Sequence, residues 1–140
     1  MTERHQLDAE LTAIAAHLPG RWQLDPKYTD HVWCAVLRDD TDHGLHFNMT
    51  AAKGRLQISG MWPLDKQNQQ HIPSKCQHVT VARDRPPEKI AAEIKRRFLP
   101  WYLAAYAEQA QRASEADAGR RKQQEVAVEL AALLGEPASA

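Results

Sequence analysis

The sequence predicts an α+β fold. It should have an N-terminal helix, an antiparallel meander of four to five strands, then a long proline-broken helix packed on one sheet face, with a helical C-terminal extension. Three observations predict it. Apolar residues recur at helical spacing before Pro19 and again after Pro87. Between Gly20 and Ala82 the spacing shifts to a period of two. Asp-Pro, Gly and Pro punctuation separates the short alternating segments in between.

The first helix is expected over residues 3–18. Leu7, Leu11, Ile14, Ala15 and Leu18 fall on one stripe, at i, i+4, i+7, i+8 and i+11. Thr2 can cap its start and Glu3 suits the positive end of the helix dipole, while Pro19-Gly20 stops it. Arg21–Leu24 leads into Asp25-Pro26. The segment His31–Arg38 is apolar on both parities, as a strand covered on both faces would be. A polar turn over residues 39–44 follows. Leu45, Phe47 and Met49 then alternate with His46, Asn48 and Thr50. Gly54 closes a hairpin, and Leu56, Ile58, Gly60 and Trp62 alternate with Arg55, Gln57, Ser59 and Met61 until Pro63 ends the strand. Residues 63–77 are polar with little periodicity and read as one long loop, a length often reserved for function. Val79 and Val81 restore the alternation.

The apolar side of this ribbon needs a cover. Pro86, Pro87 and Glu88 form a helix entrance, and Ile90, Ile94 and Phe98 recur at i, i+4 and i+8 with Trp101 continuing the stripe into the core. Pro100 lies inside that pattern, so a break is expected near Phe98–Leu99. A helix resumes from Trp101, Gly119 is expected to interrupt it, and Val126, Leu130, Leu133 and Leu134 mark a last amphipathic stretch before Gly135. The expected organisation is one domain over residues 1–118 and a helical extension over 119–140.

Composition narrows the function. The 140 residues amount to about one domain, and 18 Lys and Arg balance 18 Asp and Glu, which disfavours a strongly polyanion-seeking chain. Two cysteines are too few for a disulfide scaffold. No secretory leader and no membrane span are expected, and a cytoplasmic location is the corresponding expectation. Residues 52–55 lack the first glycine and the hydroxyl of a phosphate loop, and neither a Gly-x-Ser-x-Gly elbow nor a His-Glu-x-x-His pair occurs. Cys34, in the most apolar strand, reads as a buried, unreactive thiol. The chain is therefore expected not to be an enzyme and to use no cofactor.

Four constellations carry the remaining information. The pairs His31 and Cys34, His43 and His46, and Cys76 and His78, with His71 nearby, raise the question of a metal. Strand parity separates residues three apart, and no metal site is assigned. A basic run follows the last strand: Arg83, Arg85, Lys89, Lys95, Arg96 and Arg97 outnumber Asp84, Glu88 and Glu93. With neighbouring Trp101 and Tyr102 it suggests a single-stranded nucleic-acid binder using Arg83, Arg85, Lys95, Arg96 and Arg97. The polar sheet face gathers His46, Asn48, Arg55 and Gln57, with Trp33 flanking them by parity, as a protein-docking surface. In the long loop, Ile72 stands beside a proline as an apolar anchor for a partner.

In general character (small, neutral, compact, without catalytic motifs) the chain is similar to accessory proteins of phages and mobile elements, a resemblance of type that covers no specific motif. The leading expectation is a non-enzymatic binding module that regulates or inhibits a larger protein partner. The alternative is the single-stranded nucleic-acid binder. The C-terminal apolar residues need burial, and a homodimer is the expected way to supply it.

Overall fold

The structure, a computed structural model, describes residues 3–28, 34–49 and 54–135. Helix α1 spans Glu3–Ala15, followed by strands β1 (Gln23–Leu24), β2 (Cys34–Arg38), β3 (Gly44–Met49), β4 (Arg55–Met61) and β5 (Val79–Ala82). Helices α2 (Pro87–Arg97) and α3 (Leu99–Leu134) close the chain. The strands form one antiparallel sheet in sequence order, as a meander requires.

Register decides which side chains meet the helices. Ala35, Phe47, Ile58 and Val79 lie in line across four strands, Leu37 faces Leu45 and through it Gly60, and Met49 faces Leu56 and Val81. Most of these are fully buried and join Leu7, Leu11, Ile14, Ile90, Ile94 and Phe98 in one core. The roof expected over the alternating ribbon is therefore present: Ile90 is 2% exposed, Ile94 and Phe98 0%. Helix α1 packs toward β1 and β2 and helix α2 toward β5, so both cover the same face.

The start of α2 follows from its sequence. Pro86 takes an extended backbone and Pro87 occupies the first helical position, where a missing N–H costs nothing. Glu88 lies in the first turn and Lys95, Arg96 and Arg97 in the last, each complementing the helix dipole. Pro100 breaks the helix where expected: α2 ends at Arg97 and α3 starts at Leu99, with Phe98 at φ −118° between them.

Tyr102, from the first turns of α3, is the joint between that helix and the sheet. Its hydroxyl accepts from the Gly44 N–H at 2.9 Å and donates to the Met61 carbonyl at 2.7 Å. Burial raises the phenol well above its ordinary value, so it keeps the proton that the second bond needs. Its ring stacks on Phe98 (5.4 Å, 14°) and meets Trp62 and Tyr106 edge-on. The ring lies directly against Gly60, where an added Cβ would sit 2.4 Å from Cε1 and 2.5 Å from Cδ1. Glycine is required there by close approach, not by backbone angle.

Three expectations are corrected. Gly119 does not interrupt the last helix, because α3 runs unbroken for 36 residues. One interior glycine costs only about 1 kcal/mol against alanine, and the surrounding Ala, Glu, Arg and Gln residues are strong helix formers. The helix stops instead at Gly135, which takes φ 71° and donates its N–H to Ala131 and Ala132. Cys34 is not a core thiol. It is half-buried opposite Asn48 on the other sheet face, while its neighbour Ala35 takes the core position. Trp101 is only half-buried and packs at the margin of the core beside Phe98 and Trp62. The proposed cap Thr2, His31, Trp33 and residues 51–53 of the expected hairpin closure lie outside the described residues.

Candidate partner-binding surfaces

The long loop after β4 is built around one carboxylate. Asp65 Oδ1 accepts from the backbone N–H groups of Gln67 (2.8 Å) and Gln69 (3.1 Å), and Oδ2 accepts from His71 Nε2 at 3.0 Å. Backbone bonds from Asp65 N to Gln69 O and from His71 N to Pro63 O, with a bridge between Leu64 and Gln70, turn residues 63–71 into a small closed hairpin. Asn68 supplies the left-handed residue that the reversal needs, at φ 61°. The Asp65 side chain is 1% exposed.

Helix α3 holds this hairpin in place. Arg120 approaches Asp65 Oδ2 at 3.4 Å and also pairs with Asp117, which in turn accepts from the Lys66 N–H at 3.1 Å. The His71 hydrogen bond pulls the Asp65 carboxyl down to about 2; burial opposes this, while the Gln69 and Gln67 N–H groups and the Arg120 charge add to it. The sign of the pH dependence follows. A folded-state value below the ordinary 3.8 means the anchorage is complete above 3.8 and is lost as pH falls through about 2. Trp62 fluorescence titrated from pH 6 to pH 1.5 should report that loosening, and Asp65→Asn should show a loosened loop already at neutral pH. An unchanged loop signal in the variant at neutral pH would contradict the anchoring role.

The hairpin tip, residues 66–70, is polar and exposed, and two exposed apolar side chains stand beside it. Leu64 is 55% exposed and Ile72, singled out in the sequence, is 49% exposed. Leu64 also lines a cleft of about 660 Å³ with Trp62, Tyr106, Arg21, Asp25 and Arg38. Two of the charges in that cleft are engaged with each other. Arg38 Nε donates to Asp25 Oδ2 at 2.8 Å, and Asp25 Oδ1 accepts from the Lys27 N–H. Burial raises the Asp25 carboxyl, but the Lys27 N–H and the Arg38 guanidinium outweigh it and hold the group below its ordinary value. Beside the cleft, Asp39 organises the β2–β3 turn by accepting from the N–H groups of Thr41 and His43.

The polar sheet face is assembled as parity predicts. Asn48 faces Gln57 and through it Thr80, and His46 faces Ser59. Arg55 lies at one end, exposed, and bonds both the carbonyl and the hydroxyl of Thr80. His46, Asn48, Gln57, Ser59 and Thr80 are all half-buried, and Val36 on the same face is fully buried. This face is less open than a solvated ribbon.

No protein-family model, curated protein or solved structure matches the chain.

The basic residues are dispersed by their local partners. Arg83 makes a two-point contact with Glu10 of α1, at 2.7 and 3.1 Å. Arg96 and Arg97 share Glu93 one helical turn back, and the Arg96 bond, opposed by desolvation and aided by the Arg97 bond, keeps the Glu93 carboxyl below its ordinary value. Arg85 lies in the turn before α2 and Lys95 in the last turn of that helix. Among the described residues no group of three or more His, Cys, Asp and Glu side chains is placed to hold a metal ion, and no helix is long and apolar enough to cross a membrane. The Asp65 hairpin escaped sequence reasoning. Its one readable signal was Asp65 four residues before Gln69 with Asn68 between them, since Asp and Asn both favour turns that satisfy backbone N–H groups.

Proposed function

We propose that the chain is a non-enzymatic, cytoplasmic binding module that docks onto a larger protein partner and regulates or inhibits it, as accessory proteins of phages and mobile elements do. The observation that carries this reading is a hydrogen-bonded loop that displays two apolar side chains. Leu64 is exposed on a hairpin whose backbone is fixed by Asp65 and tied to α3, and Ile72 is exposed directly after its closing residue His71. Exposed apolar side chains on a flexible loop would lose much of their binding energy to ordering; on a fixed loop that cost is already met. The neighbouring cleft, lined in part by Trp62 and Tyr106, offers an aromatic surface of the kind that anchors protein contacts. In this reading His46, Asn48, Arg55 and Gln57 of the polar sheet face supply a second contact surface.

Affinity capture from source cells with the intact chain and with a Leu64→Asp/Ile72→Asp variant tests it. The expected result is a protein retained by the intact chain and lost with the variant, while both give the same circular dichroism and melting temperature. Identical captures, or none with either chain, would contradict the reading.

The alternative, single-stranded nucleic-acid binding through Arg83, Arg85, Lys95, Arg96 and Arg97, has less support. Three of its five cations, Arg83, Arg96 and Arg97, are already engaged by Glu10 and Glu93. We further read the chain as a homodimer, because Val126, Leu130, Leu133 and Leu134 are between 47% and 83% exposed on one helix.

A further inference from the structure

We propose that residues 116–133 of α3 pair antiparallel with the same segment of a second copy, in a register that sets Leu130 against the partner's Gly119. The proposal deepens the homodimer reading and rests on it.

Beyond Arg120, which with Asp117 holds the hairpin, most of the segment is unaccompanied in the single chain. Every residue from 121 to 130 is exposed, whereas the buried residues of α3, Leu99, Tyr102, Gln109 and Ala113, all precede it. Gly119, Gln123, Val126, Leu130 and Leu133 follow alternating steps of four and three, the spacing of a helix-pairing seam. At about 100° per residue this seam lies roughly a third of a turn away from the face that carries Tyr102, Gln109 and Ala113. A second helix can therefore reach it beside the domain.

Two complementarities select the partner and its direction. The first is size. The seam is small at one end (Ala116, Gly119) and large at the other (Leu130, Leu133). A notch of about 440 Å³ opens at Gly119, lined by Gly119, Lys122, Gln123 and Val126, and a Cβ built on Gly119 meets nothing within 4 Å. An antiparallel copy about a two-fold axis between residues 124 and 125 places Leu133 on the partner's Ala116, Leu130 on the partner's Gly119 and Val126 on the partner's Gln123. Each leucine then enters a gap. Parallel pairing would set glycine on glycine and leave the notch empty. The second is charge. Lys122 and Glu129 flank the seam on the same side, seven residues apart. Antiparallel pairing brings Lys122 to the partner's Glu129 and, by symmetry, Glu129 to the partner's Lys122, whereas parallel pairing would set them beside Ala127 and Leu134. The arrangement also leaves the two folded domains at opposite ends of a shared rod about 27 Å long. It gives Gly119 a purpose in a helix that the glycine weakens.

The experiment combines light scattering with distance measurement on the full chain. The intact protein should be a dimer, and Leu130→Asp/Leu133→Asp should be a monomer of unchanged helix content. Lys122→Glu should weaken the dimer about tenfold, and adding Glu129→Lys should restore it. Spin labels at Gln111, with Cys34 and Cys76 replaced by serine, should lie at least about 40 Å apart across the dimer, and labels at Gln124 within about 20 Å. A monomer at about 100 µM would overturn the homodimer reading and the pairing with it. A dimer with Gln111 labels within about 20 Å, or one that survives the double aspartate variant, would overturn the antiparallel register alone.

Discussion

Gly60→Ala is expected to destabilise the fold by about 3 kcal/mol, at the upper end of what one added methyl costs in a packed core. The Tyr102 ring would face the new Cβ at 2.4 Å and has little room to withdraw. Its hydroxyl is fixed by Gly44 and Met61, and its faces by Phe98 and the edge-on rings of Trp62 and Tyr106. Relief requires breaking two buried hydrogen bonds or lifting α3 off the sheet. Thermal unfolding should report a drop of roughly 10 °C, with loss of near-ultraviolet aromatic dichroism. A double-mutant cycle isolates the cause: in a Tyr102→Ala background the same glycine change should cost little, because its obstacle has gone. Additive costs would show that the clash with Tyr102 is not the reason.

Phe98→Ala should be the most damaging single truncation, at about 4 kcal/mol. Phe98 is 0% exposed, sits at the joint between α2 and α3, and contacts both the sheet-facing core and the rings of Tyr102 and Trp101. Little can move in to fill the space, because the joint is set by Pro100 and the helices on either side of it are held by their own packing. Leu103→Ala on α3 supplies the contrast. That side chain is 40% exposed, and its loss should stay within about 0.5 kcal/mol. Urea midpoints of the two variants check the difference. Equal midpoints would mean that Phe98 does not roof the sheet.

Much of the fold was legible because its signals are periodic. The stripe of Leu7, Leu11, Ile14, Ala15 and Leu18 is buried residue for residue, although α1 ends at Ala15 and a turn, not the helix expected to residue 18, carries Leu18. The alternation of Leu45 and Phe47 with His46 and Asn48 translated directly into two faces of a sheet, and Ile90, Ile94 and Phe98 into its cover. What failed was competition between local and tertiary terms. Gly119 reads as a stop because glycine disfavours helix, but a cost of about 1 kcal/mol is small against a long run of strong helix formers. Cys34 reads as core because its strand is apolar on both parities, and only the register with Asn48 assigns its face.

Of the candidate surfaces, parity assembled the polar sheet face and the loop sequence singled out Ile72. The rest depends on one aspartate meeting partners 2, 4, 6 and 55 positions away (Gln67, Gln69, His71 and Arg120), and nothing periodic marks that arrangement. The basic residues illustrate the reverse case. They form a conspicuous run in sequence, yet Arg83 points to Glu10 on a different helix while Arg96 and Arg97 complete the last turn of their own.

Amide hydrogen exchange in the hairpin tests the central claim, that the exposed leucine and isoleucine are presented by a loop already fixed before any partner arrives. The N–H groups of Lys66, Gln67 and Gln69 donate to Asp117 and Asp65, so at pH 6 they should exchange far more slowly than unstructured amides and lose that protection in Asp65→Asn. Exchange at the unstructured rate in the intact chain, with α2 and the sheet still protected, would contradict it.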